Sequence, residues 1–234
     1  MGVGKIFRRW ISGMVLMLLF FQIYPVSASA SVTVNSLKLN QDEFCVATIP
    51  QLENGLEAKK LQELNRHFRQ FVFQAYDQFE QTALELRVDP KIPDHMKRAL
   101  TFHAGFEVFR NDARFISLTQ NRYQYTGGAH GMNWLTASNV NLQTGRDDQL
   151  SDLFVADADY RGFLSQFVRR EGEKRNYPLW GFDGIRPDST FYLTNEGIVL
   201  FFQPYEIAPY SEGVVRILIP YRELSGILKP NVTN

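Results

Sequence analysis

The sequence predicts an α+β fold in which an antiparallel β-sheet packs against a long N-terminal helix and a second helix. Two observations support this class. Segments of alternating polar and apolar residues surround two segments whose apolar residues recur at three- and four-residue steps. Their order is strands, helix, strands, helix, strands, which differs from the regular alternation of a parallel α/β protein. With no repeat and no long linker, we expect one compact unit with an N-terminal half, residues 31–140, and a C-terminal half, residues 141–228.

The first 30 residues have the composition of a signal peptide. Three basic residues precede an apolar run over residues 10–21, and Pro25 and the small residues 28–30 follow it. We expect cleavage near Ala30 and export to the periplasm or the cell surface. An uncleaved membrane anchor is the alternative, although the run is shorter than the roughly 20 apolar residues that span a bilayer.

The composition excludes several classes of protein. The chain has 25 basic and 25 acidic side chains and a single cysteine. Such a balance provides no basic surface for nucleic acid, and one cysteine forms neither an intrachain disulfide nor a cysteine-rich zinc site. The four histidines lack the spacing of a local metal site. We therefore expect no nucleic-acid partner, no metal and no cofactor.

The N-terminal half is predicted to contain a hairpin, a long helix and a meander. Residues 31–39 and 44–49 alternate around a turn at 40–42, and residues 56–88 have the helical period until Pro90 and Pro93 end it. Three strands at about 100–109, 114–119 and 122–125 are separated by turn signals at 111–112 and 120–121. A further strand covers residues 134–142.

The C-terminal half is predicted to begin with the second helix. Residues 177–188 form an ordered loop, residues 191–194 and 198–203 form a hairpin, and residues 214–219 form the last strand before a short helix at 221–228. The apolar stripe of the second helix consists of Tyr160, Phe163, Leu164, Phe167 and Val168.

Two loops contain the residues that we expect to bind a ligand. Three glycines surround a histidine in the first loop, which indicates unusual backbone angles or close approach of a ligand. Its candidate residues are Tyr125, Gly127, Gly128, His130 and Gly131. Two proline–tyrosine pairs stiffen the second loop, residues 203–213, and its candidate residues are Pro204, Tyr205, Glu206, Pro209 and Tyr210. A purely structural role, with the loops packed on the strands, is the alternative for both.

No catalytic residue is predicted. The sequence has no nucleophile elbow, no P-loop and no dinucleotide-binding fingerprint. The favoured hypothesis is therefore a non-catalytic binding protein. The competing hypothesis is an envelope glycan hydrolase in which His130 and a nearby carboxylate act as acid and base.

Several motifs resemble, in order, those of the RsiV-like extracellular domain family, which is shared by a lysozyme-sensing anti-sigma factor and a peptidoglycan deacetylase. They lie at residues 123–131, 141–145, 150–154, 191–197 and 204–210. The resemblance extends over residues 33–228 and implies an exported domain that binds lysozyme, another envelope protein or peptidoglycan. Only nine residues precede the apolar run, so we expect no sigma-factor partner.

Overall fold

The computed structural model describes residues 31–42 and 44–233. The predicted signal peptide and its cleavage site lie outside these residues. No helix within the described ranges is long and apolar enough to cross a membrane. The described residues form a six-stranded sheet and a three-stranded sheet, together with two long helices, and this arrangement confirms the α+β class.

The N-terminal hairpin and the long helix are confirmed. Strands β1, Val34–Asp42, and β2, Cys45–Leu52, pair in antiparallel register. Helix α1 follows as Ala58–Val88 and ends two residues before Pro90. One face of α1 packs on the sheet because its apolar residues recur with the helical period. The buried residues of that face are Phe68, Val72, Ala75, Phe79 and Ala83.

One pair of strands in the six-stranded sheet is parallel. After α1 and the short helix α2, Asp94–Arg98, strand β3, Thr101–Asn111, lies beside β2 with Cys45 opposite Phe102. Parallel neighbours require a long crossover connection, and the 31-residue α1 provides it. The other neighbouring pairs of this sheet are antiparallel.

The predicted turn at residues 120–121 is wrong. A single strand, β4, runs from Phe115 to Tyr125 and pairs with β3 on one side and with β5, Met132–Asn141, on the other. Polar residues at the centre of a sheet are tolerated when their side chains find partners. The buried Gln120 donates from Nε2 to the carbonyl of Phe68 on α1, at 3.2 Å.

In the C-terminal half, α3 spans Tyr160–Lys174, and a short strand β6, Arg146–Asp147, precedes it at the sheet edge. The predicted hairpin is confirmed as β7, Phe191–Leu193, and β8, Gly197–Phe202, and the last strand as β9, Val215–Pro220. The closing helix is shorter than predicted. It is one 3-10 turn over Tyr221–Leu224, because Ser225 adopts extended angles.

The second sheet packs on the face of the first sheet that lies opposite α1. The rings of Phe109 and Tyr192 are 4.1 Å apart at this contact. Buried polar side chains also cross it: Asn139 Nδ2 donates to the Phe191 carbonyl, and Leu193 N donates to Ser117 Oγ. The far ends of β4 and β5 extend past this contact and lead into the loop at 125–131.

Candidate functional site

The two candidate loops meet in the folded chain. The imidazole of His130 stacks on the ring of Tyr210, with centroids 3.7 Å apart and an angle of 16° between planes. Its Nε2 lies 3.2 Å from the hydroxyl of Tyr205. Residues 75 positions apart in the sequence therefore form one aromatic cluster, which consists of His130, Tyr205 and Tyr210.

The carbonyl of Gly131 orients two of the three rings. It accepts a hydrogen bond from Tyr210 Oη at 2.7 Å and lies 2.9 Å from His130 Nδ1. A carbonyl only accepts, so Nδ1 must carry a proton, and in the neutral ring Nε2 then accepts from the Tyr205 hydroxyl. The tautomer and the orientation of His130 thus follow from its neighbours.

The first loop requires glycine at its different positions for two different physical reasons. Gly127 and Gly128 have φ of 109° and 94°, angles that residues with a side chain rarely adopt. The hydroxyl of Tyr125 closes this turn by donating to the Gly128 carbonyl at 2.9 Å. Gly131 is buried, and a Cβ there would overlap the ring of Tyr123. Its carbonyl can approach the aromatic cluster only because it has no side chain.

The second loop presents Tyr205 on a strained turn. Tyr205 has φ of 70°, in the left-handed region that is unfavourable for a residue with a side chain, and is 51% exposed. Two contacts hold the turn. Glu206 accepts a hydrogen bond from the backbone of Gln203 at 2.7 Å. The side chain of Gln203 in turn bonds both backbone groups of Leu135 on β5, at 2.8 and 3.1 Å.

The candidate residues of the second loop divide into exposed and structural ones. Tyr205 and Glu206 are exposed, Tyr210 is half-buried, and Pro204 is buried. Pro209 precedes the 3-10 turn at Tyr210–Glu212.

Sequence reasoning missed two residues of this surface. Gln203 lies at the junction of the predicted strand and the second loop and is not among the candidate residues, because its bonds across to β5 depend on the tertiary fold. Trp180 was assigned to an ordered loop but not to the site. It is 47% exposed, and its backbone N–H donates to the carbonyl of Ile207 at 3.0 Å, so its loop abuts the second candidate loop. An indole two residues after a proline and directly before a glycine is the available signal.

The surroundings of His130 contain a phenol and a carbonyl where acid–base chemistry would need a carboxylate. Among the described residues, neither ring nitrogen bonds an aspartate or a glutamate. Glu206, beside Tyr205, bonds backbone instead. Within the same ranges, no group of three or more His, Cys, Asp or Glu side chains is placed to hold a metal ion. The geometry therefore provides aromatic rings with polar edges, in a fixed arrangement.

Comparison with known families matches both halves of the chain. The family model described as deacetylase PdaC matches residues 37–133, and the model described as a protein of unknown function, DUF3298, matches residues 151–222. A curated relative is the peptidoglycan-N-acetylmuramic acid deacetylase PdaC of Bacillus subtilis strain 168, which is 25% identical over 145 residues. The match covers 58% of this chain and 31% of the relative, so the chain spans about a third of that enzyme.

Solved structures show the same fold. A DUF3298 family protein from Pseudomonas aeruginosa PAO1 aligns with a TM-score of 0.59 at 19% identity, over 88% of this chain and 98% of its own. A DUF3298 family member from Bacteroides fragilis aligns with a TM-score of 0.57 at 17% identity, over 87% and 96%. Fold and sequence together define a two-part α+β module in which a PdaC-type half precedes a DUF3298 half. The two family matches and the curated relative support a DUF3298/PdaC-like domain family for this chain.

Proposed function

We propose that the chain is an exported, non-catalytic binding protein of the cell envelope. The observation that carries this proposal is the aromatic cluster of His130, Tyr205 and Tyr210, in which every ring is oriented by a hydrogen bond. Rigid aromatic side chains with polar edges provide contact area at little entropic cost, which is why they dominate binding sites. The strain at Tyr205 agrees with a functional role, because strained residues concentrate at ligand sites.

Two ligands are proposed for this surface, peptidoglycan and lysozyme. Peptidoglycan is supported by the name of the curated relative, a deacetylase of its N-acetylmuramic acid. Aromatic rings can pack against the C–H faces of its sugars, and tyrosine hydroxyls can bond sugar hydroxyls. Lysozyme is supported by the family resemblance. It is a cationic protein, and the exposed Glu206 and Glu212 add negative charge beside the rings.

Export is supported by the residues at the start of the sequence. A basic start, an apolar run and small residues before position 31 are typical of a signal peptide. The substrate named for the curated relative is a component of the cell wall, outside the membrane.

Binding is favoured over glycan hydrolysis because of the partners of His130. A hydrolase with His130 as base requires a carboxylate within hydrogen-bond reach, whereas Tyr205 Oη and the Gly131 carbonyl occupy both ring nitrogens.

Binding is tested by sedimentation with purified peptidoglycan and by pull-down with immobilised lysozyme. We expect Tyr205→Ala to weaken retention on the true ligand by about 30-fold, the effect of removing an interface hot spot of about 2 kcal/mol. Phe44→Ala is the matched control, since Phe44 is an aromatic residue with 40% exposure outside both loops. Absence of retention on both ligands would eliminate both. Release of soluble glycan by the parent chain, lost in His130→Ala, would establish the hydrolase instead.

A further inference from the structure

A second unusual site lies on the opposite face of the six-stranded sheet, where α1 packs. Arg122 on β4 extends between two aromatic rings. Its guanidinium carbon is 5.0 Å from the ring centroid of Phe71 on α1 and 5.1 Å from that of Trp134, its cross-strand neighbour on β5. All three side chains are half-buried.

Within the described residues, this cation has no anionic partner. No carboxylate of the described residues forms an ion pair with Arg122, and none of their groups accepts a hydrogen bond from it. Its Nε is sealed from solvent without any partner. Burial alone lowers the pKa of the Arg122 guanidinium from its ordinary value, with no carboxylate to offset it. Partly buried charges are normally paired, because desolvation without compensation is costly.

Arg169, which is more exposed than Arg122, also lies over an aromatic ring but has a hydrogen-bond acceptor. Its guanidinium carbon lies 5.2 Å from the ring of Phe182, as in the Arg122 contacts. Its Nη2, however, donates to the carbonyl of Asp183 at 3.1 Å. An arginine in this fold can therefore stack on an aromatic ring and still have a hydrogen-bond acceptor.

We propose that Arg122, held between Phe71 and Trp134, is a binding site for a small carboxylate ligand. Aromatic rings near the guanidinium restrict approach to its faces, so a ligand must approach its edge. Because Nε is sealed from solvent, the edge open to a ligand is the one formed by the two Nη groups, whose parallel N–H bonds match the two oxygens of a carboxylate. The two rings also hold the fork in place before binding, which reduces the entropy lost on binding.

This site is independent of the aromatic cluster at His130. Arg122 and its partners lie on the helix side of the sheet, whereas Leu135, which bonds the Gln203 side chain of the second loop, has the opposite parity on β5 to Trp134. Loss of binding at one site therefore leaves the other unaffected. Carboxylates in the envelope come from sugar acids and from peptide C-termini, and neutral analogues distinguish the two sources.

The test uses a chain with Trp10→Phe and Trp180→Phe, in which Trp134 is the only indole whether or not residues 1–30 are retained. N-acetylmuramic acid is titrated against the neutral N-acetylglucosamine, and acetyl-D-alanyl-D-alanine against its C-terminal amide. Calorimetry measures binding, and the emission of Trp134 reports its location. We expect saturable binding and an emission change with at least one acid, and neither with its neutral analogue.

Substitution of Arg122 identifies the group responsible. Arg122→Gln removes the charge and Arg122→Lys keeps it without the fork; each should weaken binding about 10-fold or more, as expected for charged hydrogen bonds. Arg169→Gln is the matched control and should bind like the parent. Three results would each overturn the proposal. They are an equal response to the acid and neutral probes, the absence of saturable binding to either acid, and an unchanged affinity in a folded Arg122 variant. The comparison of acid with neutral probe decides the question even if a variant does not fold.

Discussion

Replacement of Gly131 by alanine tests whether packing against Tyr123 shapes the candidate site. The new Cβ would overlap the phenol end of the Tyr123 ring and lie 2.6 Å from its Cε2. Overpacking of this kind costs about 1–3 kcal/mol. Displacement of the backbone would also weaken the two hydrogen bonds at the Gly131 carbonyl, at about 0.5–1.5 kcal/mol each. We expect Gly131→Ala to lower the free energy of unfolding by about 2–6 kcal/mol.

Urea unfolding followed by circular dichroism measures this change, and a double-mutant cycle assigns its cause. If the cost comes from the Tyr123 ring, Gly131→Ala should cost at least about 1 kcal/mol less in a Tyr123→Ala background. A cost below about 0.5 kcal/mol would refute the steric reasoning, since surface substitutions reach that value without any clash. An equal cost in both backgrounds would place the cause elsewhere.

Three further predictions concern neighbouring features. Tyr210→Phe removes the bond to the Gly131 carbonyl and should lower the free energy of unfolding by about 0.5–1.5 kcal/mol in urea; no change would mean that the bond contributes nothing. At Gly197 a Cβ would overlap the carbonyl oxygen of Ile219, so Gly197→Ala should cost about 3 kcal/mol, and an unshifted thermal midpoint would contradict this. Burial opposes ionisation of Asp112, but backbone N–H groups and a guanidinium on β3 bond its carboxylate and lower its pKa from 3.8. The contribution of Asp112 to the free energy of unfolding is therefore complete above its unfolded-state pKa and decreases as the pH falls through its lower folded-state pKa. Asp112→Asn should accordingly reduce the loss of stability between about pH 5 and about pH 2.

Local pattern was sufficient for most elements of the fold. The predicted helix at 56–88 is observed as Ala58–Val88, and the predicted hairpin at 191–203 is observed as β7 and β8. These segments have a consistent period and distinct ends, so near neighbours in the sequence decide their conformation. The turn at residues 120–121 failed because Gln120 and Asn121 have turn propensity but lie in a central strand, where pairing on both sides prevails.

The candidate site was predicted in its residues and not in its arrangement. The glycines around His130 and the proline–tyrosine pairs identified both loops. Neither pattern indicates how close the two loops lie in the folded chain, because the bonds of Gln203 to Leu135 join residues 68 positions apart. The stacking of His130 on Tyr210 follows from that long-range contact and from the absence of a side chain at Gly131.

The sequence by itself determined the class of fold, the family and the two loops, because periodicity, glycine and proline act within a few residues of their position. Tertiary structure alone decided that β2 and β3 run parallel, that His130 meets phenols rather than a carboxylate, and that Arg122 lies between two rings with no acceptor among the described residues. The physical reason is the same in each case. Strand pairing and the partners of polar side chains depend on residues that are distant in the sequence, and folding brings them together only when the core packs.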